Sequence, residues 1–562
     1  MRWLDVTFSP GKAGVRMSKV GVALDLGTSG FRGQAIDLER GGVVISTVIT
    51  ARHPLPGANV MDHLHLVLEV GLEPVRAMVI ATVNQLIAGL QVTTTDIVRL
   101  VVCGNPIQLS LFEGIEVRDL AYAGKNKKRM LGIVAPDRDG KVVQAKEISG
   151  LLLPPQADVF ILPAVKHEIG ADALAMLVKS GILERREIAL VTDYGTNAEM
   201  ALKVGDTILT GSCAAGPALE GQHISAGMLA APGAVADIYP EGSGHRLSVL
   251  DTDLYNRQGN LVDLPSGNLL TGGEVQAQGI TGTGVVALIC EAQRAGLLCL
   301  PRLITPDCSL HLGGDLIFTE KDLAEAGKAI GALRAGYVTL AKEAGIQIED
   351  IQVAYMAGAS GTYVDPLKAM EIGMVPPQVK TIVQIGNTSL SMARDVVCNP
   401  ALLGEMQAIA KSLRATHCMF GESPVFEKAY ILELAYWEEG MPWTQYMKFS
   451  ELYRLPKLNP PQSSPKIIRQ QRRDIDDLGS LGLKQLGEVG LTISEVFSGC
   501  SGCGICVEGC PERALTLNEA GSLSLRLAQC NGTACKRCEQ NCPEKVFKLS
   551  NLCQKVTIGK CC

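Results

Sequence analysis

The motif that decides the fold occurs twice in this chain, as VALDLGTSGFRGQAIDL (Val22–Leu38) and again, in altered form, as LVTDYGTNAEMALKV (Leu190–Val204). In both copies an apolar run contains an aspartate near its end, a glycine and a threonine follow, and a second apolar run begins. This pattern predicts a strand, a tight turn and a second strand, and therefore a β-hairpin. Because the motif is repeated, we predict a pseudo-two-fold unit with a site between its two halves.

The rest of the chain from residue 19 to about residue 450 alternates short apolar runs with longer amphipathic stretches. With 562 residues, 47% hydrophobic residues, 60 glycines and 4% aromatic residues, the chain has the composition of an aliphatic α/β protein with two to four domains. Helices are predicted at Asp322–Ala344 and Ala401–Arg414. The predicted strands are Val20–Leu26, Ile97–Val102, Ile188–Thr192, Val353–Met356 and Ile382–Ile385.

Charge and hydropathy argue against several classes of partner. The net charge of −6 is spread without long runs of one sign, which gives no electrostatic reason to expect nucleic acid or an anionic membrane as a partner. No window of eighteen apolar residues occurs, so no membrane span is predicted, and the first twenty residues lack the apolar core of a signal peptide. We therefore expect a cytoplasmic location.

A change in composition near residue 455 predicts a domain boundary. The stretch LPKLNPPQSSPKIIRQQRRD (Leu455–Asp474) contains four prolines and a basic cluster, which disfavour a continuous helix. We assign residues 451–490 to a Pro-rich linker and residues 491–562 to a compact cysteine-dense domain with a short tail. Residues 1–18 carry no pattern that assigns them.

The cysteines are concentrated at one end of the chain. Eleven of the 18 lie in the last 63 residues, whereas the other seven are scattered singly through aliphatic segments. An oxidised secreted scaffold would spread its cysteines through the fold, so this distribution favours a reduced compartment with a local metal site.

Two runs of four cysteines, each closed by Cys-Pro, predict iron–sulfur clusters. The first run is Cys500-x2-Cys503-x2-Cys506-x3-Cys510-Pro511, and the second, beginning at Cys530, repeats it with a longer first gap. In the bacterial ferredoxin arrangement that has this spacing, the fourth cysteine of each run ligates the other cluster. We therefore predict two [4Fe–4S] clusters in a small α+β domain of the bacterial ferredoxin type, one on Cys500, Cys503, Cys506 and Cys542 and the other on Cys530, Cys535, Cys538 and Cys510.

Zinc is the alternative ligand for these cysteines. Zinc sites also use four cysteines in C-x2-C pairs, but they use two separated pairs and not two runs that each end in Cys-Pro. The four residues between Cys530 and Cys535 leave the first position of the second set open to question. Gly502 and Gly504 would relieve crowding of the backbone around the first cluster.

The two hairpin turns are candidate phosphate sites. Glycines let the backbone close on an anion, hydroxyls and N–H groups donate to it, and an aspartate can hold Mg²⁺ or orient water. Each turn alone is also compatible with an ordinary hairpin, and the repetition favours the functional interpretation. The candidate residues are Asp25, Gly27, Thr28 and Ser29 in the first turn, and Asp193, Gly195, Thr196 and Asn197 in the second.

A third candidate segment, MAGASGTYVDP (Met356–Pro366), follows a predicted buried strand. Its small residues allow a flat adenosine ring to lie against the backbone at a strand-to-helix turn. These residues are Gly358, Ala359, Ser360 and Gly361. The chain has no P-loop lysine motif and no G-x-G-x-x-G, which argues against a Walker ATPase and a Rossmann dehydrogenase.

Taken together, these motifs resemble those of the ASKHA superfamily of acetate and sugar kinases, heat-shock ATPases and actin. DLGTSG resembles its first phosphate motif, DYGTNAE its second and AGASG its adenosine motif, while GITGTGVV (Gly279–Val286) resembles a connecting helix. The resemblance implies an actin-like, ribonuclease-H-like duplicated α/β ATPase domain over residues 19–450. It also implies bound ATP with Mg²⁺ and catalytic roles for Asp25 and Asp193.

An ASKHA ATPase joined to a C-terminal domain with two clusters resembles the reductive activases of corrinoid proteins, in particular their methylamine branch. The resemblance implies ATP-dependent reduction of Co(II) to Co(I) in methyltransferase corrinoid proteins of methylamine-dependent methanogenesis, with electrons from a low-potential donor. Three alternatives remain at this point: an ATP-driven activator of another low-potential enzyme, a small-molecule kinase with a fused ferredoxin module, and a scaffold that stores clusters.

Overall fold

The computed structural model describes most of the chain. The described residues are 19–57, 59–122, 124–165, 169–195, 197–213, 224–413, 415–461, 463–518, 522–533 and 535–556. The unassigned segment 1–18, Thr196 of the second turn, and Cys561 and Cys562 of the tail lie outside these ranges.

The chain divides into two compact units, and their boundaries differ from the predicted domain boundaries. The first unit holds the residues up to Leu162, Ala393–Leu403 and the residues from Gly479 onward, and the second holds Pro163–Met392 and Gly404–Leu478. The cysteine-dense end therefore belongs to the same unit as the first hairpin. The predicted single region 19–450 contributes to both units.

The first unit is built on a seven-stranded sheet. An antiparallel hairpin leads into parallel strands, so the apolar runs become buried strands, as predicted from their composition. In spatial order the strands are Leu483–Leu486, Val43–Thr50, Phe31–Asp37, Val20–Leu26, Ile97–Gly104, Asp158–Ile161 and Lys141–Gln144.

The second unit repeats this sheet. Five of its seven strands follow the same order and the same sequence of antiparallel and parallel pairings, which confirms the predicted duplication. In spatial order they are Ala415–Cys418, Thr207–Cys213, Ala198–Val204, Ala189–Tyr194, Val353–Ala357, Thr381–Gly386 and Lys466–Arg469.

The predicted linker 451–490 contains two strands, and this part of the prediction is wrong. Lys466–Arg469 pairs in parallel with Thr381–Gly386, and Leu483–Leu486 pairs in parallel with Val43–Thr50. The four prolines of the stretch all precede Lys466, so none of them interrupts a strand. Four-residue edge strands carry too little apolar periodicity to stand out from a Pro-rich background.

Helices cover the sheets. The long predicted helix spans Glu320–Ala344 and begins at a capping box formed by Thr319 and Asp322. The predicted helix Ala401–Arg414 is observed as Leu402–Ser412. The other helices before the cysteine-dense end are Val60–Val70, Leu72–Gly89, Pro106–Glu113, Arg118–Ala121, Lys125–Met130, Ala171–Ser180, Gly282–Arg294, Gly358–Tyr363, Pro366–Glu371, Thr388–Cys398, Pro424–Trp437 and Trp443–Leu452.

The second unit also contains a five-stranded sheet, which lies in sequence between the two central strands of its main sheet. Its spatial order is Leu269–Thr271, Asn256–Val262, Gly244–Leu250, Ala234–Glu241 and Gly279–Ile280. Two small hairpins follow, Leu298–Cys299 with Arg302–Leu303 and Ser309–His311 with Ile317–Thr319.

The cysteine-dense end is a small α+β segment of the first unit. Three antiparallel strands, in the order Thr492–Glu495, Leu523–Arg526 and Leu515–Leu517, form its sheet. Its helices are Ile505–Glu508, Arg537–Asn541 and Leu549–Cys553. Among the described residues of the whole chain, no helix is long and apolar enough to span a bilayer.

Candidate functional site

The first aspartate turn joins the buried strands Val20–Leu26 and Phe31–Asp37. Asp25 lies directly opposite Arg32 in the hairpin, and the Asp25 carboxylate forms an ion pair with the Arg32 guanidinium at 3.6 Å. A Cβ atom at Gly27 would lie 2.9 Å from the Gly30 carbonyl oxygen, so the turn requires glycine at this position. Thr28 and Ser29 are thereby held between two fixed strand ends.

Asn105 is a residue of this site that the sequence analysis missed. Its side-chain NH2 donates to the Thr28 hydroxyl at 3.0 Å, and its side-chain oxygen accepts from the backbone N–H groups of Ile107 and Gln108. Asn105 therefore caps the helix Pro106–Glu113 and orients Thr28 at the same time. The signal was present as Asn-Pro directly after a predicted strand, a common start of a helix.

The second aspartate turn follows the strand Ala189–Tyr194. Asp193 pairs across the hairpin with Glu199 and across the parallel sheet with Ala357. Two carboxylates in directly opposite positions repel each other unless a proton or a cation lies near them. Gly195 and Asn197 are half-buried beside Asp193.

The candidate adenosine segment forms the predicted strand-to-helix turn, because the strand Val353–Ala357 is followed directly by the helix Gly358–Tyr363. Gly358 has a φ of +78°, and a Cβ atom there would lie 2.3 Å from Oδ1 of Asp193. Only glycine lets the backbone approach that carboxylate so closely. Ala359 and Ser360 are half-buried in the first turn of the helix, and Gly361 is buried.

Gln384 fixes this turn from the neighbouring strand, and it too was missed from the sequence. It is buried, and its side-chain NH2 donates to the carbonyl oxygens of Gly361, Thr362 and Val364 at 2.7, 3.0 and 3.0 Å. These carbonyls lie at the end of a short helix and would otherwise lack partners. A buried glutamine inside an apolar strand was the available signal.

The second set of predicted cluster cysteines converges on one cavity of the first unit. Cys510, Cys530, Cys535 and Cys538 all line it, together with apolar side chains that include Leu515, Leu525 and Leu549. Burial, with the neighbouring thiols of Cys553, Cys535 and Cys510, raises the pKa of Cys530 to about 12. The fourth cysteine of the first run thus joins the first three of the second run.

In the first set, Cys506 has Cys542 of the second run among its neighbours as well as two cysteines of its own run. Burial and the nearby Cys500, Cys503 and Cys542 thiols raise the pKa of Cys506. The φ angles of +71° at Gly502 and +77° at Gly504 are values that glycine adopts readily. No disulfide bond joins any of the cysteines that the structure describes.

Among the described residues, no three His, Cys, Asp or Glu side chains are arranged as they would be around a metal ion. The described cysteines of the two runs lie in two neighbourhoods.

The two related sheets, with aspartate turns and a Gly-rich strand-to-helix turn at their strand ends, define an α/β protein of the ASKHA type. Comparisons with known proteins narrow this class. A family described as RACo middle region matches residues 20–185, and one described as the C-terminal domain of RACo, the ASKHA domain, matches residues 187–447.

Two relatives that match most of this chain have names that refer to corrinoid proteins or their activation. A Methanosarcina barkeri protein named "[Co(II) methylated amine-specific corrinoid protein] reductase" is 47% identical over 500 residues, which cover 89% of this chain and 92% of the relative. "Corrinoid activation enzyme RamQ" from Eubacterium limosum is 24% identical over 459 residues, which cover 75% of this chain and 71% of the relative.

A solved structure, "Reductive activator for corrinoid,iron-sulfur protein", is 25% identical with a TM-score of 0.63 and covers 75% of this chain and 66% of that chain. The chain belongs to the family of corrinoid protein reductive activators, which are oxidoreductase enzymes. The resemblance seen in the motifs is thereby confirmed.

Proposed function

We propose that this protein uses ATP to reduce Co(II) to Co(I) in a methyltransferase corrinoid protein of methylamine-dependent methanogenesis. The observation that carries the proposal is the cavity lined by Cys510, Cys530, Cys535 and Cys538, the cross-ligated set that the spacing alone predicts. The name of the Methanosarcina barkeri relative supports a corrinoid protein specific for methylated amines as the substrate.

Two [4Fe–4S] clusters would be held by eight cysteines. A bound cluster supplies one-electron transfer, at a potential set partly by solvent exposure and by hydrogen bonds to sulfur. The backbone N–H of Gly532 donates to Sγ of Cys530 at 3.4 Å, and apolar side chains line part of the cavity. The chain therefore provides both a hydrogen bond to sulfur and shielding from solvent, the two features that set the potential. The ligands would be Cys500, Cys503, Cys506 and Cys542 for one cluster, and Cys530, Cys535, Cys538 and Cys510 for the other.

ATP with Mg²⁺ would bind at the aspartate turns and the strand-to-helix turn. In the first turn, Asn105 presents the Thr28 hydroxyl, and Arg32 adds a positive charge beside Asp25. In the second turn, Asp193 and Glu199 occupy opposite positions of the hairpin, and carboxylate oxygens are ligands that Mg²⁺ prefers. The proposed nucleotide ligands are Gly27, Thr28, Ser29, Gly195, Thr196, Asn197, Gly358, Ala359, Ser360 and Gly361, with Asp25 and Asp193 as catalytic residues.

The energetic need for ATP follows from the redox couples. Co(II)/Co(I) couples lie below those of ordinary ferredoxins, so the electron transfer runs uphill. A one-electron couple shifts by about 59 mV for each 1.4 kcal/mol, so a gap of about 300 mV requires roughly 7 kcal/mol. ATP hydrolysis can supply free energy of this order, and the electron itself would come from a low-potential donor in the cytoplasm.

The test uses the full-length chain, since a cut at residue 450 would remove Leu483–Leu486 from its sheet. Anaerobically reconstituted protein would be mixed with a Co(II) corrinoid protein of a methylamine methyltransferase system and titanium(III) citrate. We expect the Co(I) absorption spectrum to develop only when Mg-ATP is present. An equal Co(I) yield without ATP would contradict the proposal and favour the kinase or the scaffold instead.

A further inference from the structure

One stretch of the first unit contacts both the first aspartate turn and the second cysteine run. We call Thr50–Val70 the connecting segment; it ends in the helix Val60–Val70, and all of it except Ala58 is described. The two sites lie in sequence regions about 500 residues apart, yet the folded chain places this segment against both.

At its beginning, the connecting segment packs on the aspartate turn. The Thr50 hydroxyl accepts from the backbone N–H of Phe31 at 2.8 Å, and a Cβ atom at Gly30 would lie 2.9 Å from that hydroxyl oxygen. The edge of the Phe31 ring meets the His53 ring at a centroid distance of 5.1 Å. If the turn moved to close around a bound phosphate, Thr50 and His53 would therefore have to move with it.

In the middle, two buried histidines join the segment to the turn by a second route. His53 stacks on His63 at a centroid distance of 4.0 Å, and Nδ1 of His63 lies 2.9 Å from the side-chain nitrogen of Gln108. The backbone N–H of Gln108 donates to Asn105, which donates to Thr28 of the turn. Burial lowers the pKa of both histidines, so the rings are neutral and stack without repulsion.

This polar cluster is costly as a purely structural element. Nε2 of His63 is buried without a hydrogen-bond partner among the described residues. Buried polar atoms without partners destabilise a fold, and apolar side chains of similar size would avoid that cost. Such local conflicts occur mostly where function requires them.

At its other end, the connecting segment supports the loop of the second cysteine run. The backbone N–H of Gly57 donates to the carbonyl oxygen of Cys530 at 2.8 Å. One turn into the helix, Nδ1 of His65 lies 2.9 Å from the hydroxyl of Thr533. Both contacts fall in the loop between the first and second cysteines of that run.

The last turn of the helix adds an ion pair to the residue that follows the second cysteine of the run. The Glu69 carboxylate accepts from the ammonium of Lys536 at 3.1 Å, and Lys536 directly follows Cys535. The Glu69 carbonyl oxygen accepts from the side chain of Gln554, just beyond the helix Leu549–Cys553. The cysteine loop is thus held to one helix by hydrogen bonds and an ion pair.

From these contacts we infer that the connecting segment couples nucleotide binding at the first turn to the reduction potential of the cluster on Cys510, Cys530, Cys535 and Cys538, with His63 and Glu69 as positioning residues. The inference rests on the proposed function. Coupling between two binding equilibria is reciprocal, so reduction of the cluster must change nucleotide affinity by the same free energy. Because ATP has to make the cluster a stronger reductant, the oxidised protein should bind ATP more tightly.

The experiment measures the affinity of the reconstituted full-length protein for Mg-AMPPNP, oxidised and after reduction by dithionite. We expect roughly tenfold weaker binding to the reduced protein, which corresponds to a potential lowered by about 59 mV for one electron. The potential is then measured independently, by electron paramagnetic resonance at poised potentials with and without Mg-AMPPNP. A difference in affinity below twofold, or tighter binding to the reduced protein, overturns the inference.

Two variants test the route, and one serves as a matched control. Glu69→Gln removes the charge that holds Lys536, and the double variant His63→Phe with Gln108→Met keeps stacking and volume but removes the polar link. Each should reduce the tenfold difference to about twofold or less. Glu325→Gln breaks a pair with Lys328 of nearly the same length and exposure, 3.0 Å with side chains 43% and 27% exposed, against 3.1 Å with 43% and 26% for Lys536 and Glu69.

The outcomes separate this inference from the proposed function. Missing iron or missing nucleotide binding in the unmodified protein would overturn both. Full cluster content and nucleotide binding with no redox dependence would overturn the coupling alone. Retention of the tenfold difference in both Glu69→Gln and the His63→Phe, Gln108→Met variant would overturn the assigned route, as would an equal loss in Glu325→Gln.

Discussion

Cross-ligation of the two cysteine runs can be tested by pairing substitutions. If each cluster takes its fourth ligand from the other run, Cys500 and Cys510 serve different clusters although they lie in one run. If each run instead holds its own cluster, they serve the same one. The cavity shared by Cys510 and the second run supports the first arrangement, and so does the proximity of Cys542 to Cys506.

The expected iron contents differ by a whole cluster. Two intact clusters contain about eight iron atoms per chain. With cross-ligation, the double variant Cys500→Ala, Cys510→Ala damages both clusters and retains close to none of that iron in intact [4Fe–4S] form. The double variant Cys510→Ala, Cys538→Ala damages one cluster twice and should retain about four iron atoms in the other.

The assay combines iron and sulfide analysis with electron paramagnetic resonance of the dithionite-reduced, anaerobically reconstituted protein. Electron paramagnetic resonance is needed because iron analysis alone does not distinguish a damaged site that keeps three iron atoms from an intact [4Fe–4S] cluster. The reverse result, an intact cluster in Cys500→Ala, Cys510→Ala and none in Cys510→Ala, Cys538→Ala, would refute cross-ligation. Cys553→Ala is the matched control, because Cys553 is fully buried in the same segment but lies outside both runs; it should keep both clusters.

Three further predictions concern the ATP site and the stability of the first unit. Asp25→Ala and Asp193→Ala should each abolish ATP hydrolysis, measured by phosphate release, while iron content and circular dichroism stay unchanged; normal hydrolysis in both would reject the assigned turns. Arg138→Met removes the guanidinium that lies 2.7 Å from the buried Asp119 carboxylate, and should lower the free energy of unfolding by about 3–5 kcal/mol in urea titrations, whereas an effect below about 1 kcal/mol would contradict this. Burial lowers the pKa of His63 from about 6.5 to about 3, so between these values the unfolded chain binds a proton that the folded chain excludes. His63 therefore lowers the stability as the pH drops below about 6.5, by about 2 kcal/mol at pH 5, and His63→Phe should remove this share of the pH dependence in urea titrations at several pH values.

Local patterns were sufficient for the strands and turns that define the fold class. The run Val20–Leu26 is a strand with the predicted bounds, and the turn after it has the tight geometry that its glycines indicate. The repeat at Leu190–Val204 predicted the second sheet, because a duplicated motif folds into a duplicated structure. Spacing between cysteines predicted a grouping that the folded chain supports, since each short loop can wrap only one side of a cluster.

Residues that act across the sheet were not predictable in this way. Asn105 directly follows a strand, and Gln384 lies in a strand, that pairs in parallel with the strand next to its partner, and parallel strands are separated by a long crossover. Nothing near Asn105 in the sequence names Thr28 as its partner. The four-residue strand Leu483–Leu486 likewise lies within the predicted linker, because an edge strand of this length is stabilised by its neighbour and not by its own composition.

The sequence by itself determined the class of fold, the two aspartate turns and the two cysteine runs, because each of these is encoded within about 20 consecutive residues whose backbone preferences and spacing act locally. Only the tertiary structure decided that the cysteine-dense end joins the unit of the first aspartate turn, and that the helix Val60–Val70 supports the loop after Cys530. These contacts depend on which surfaces bury each other once the chain is compact. That choice is made by packing between segments hundreds of residues apart, which no local pattern records.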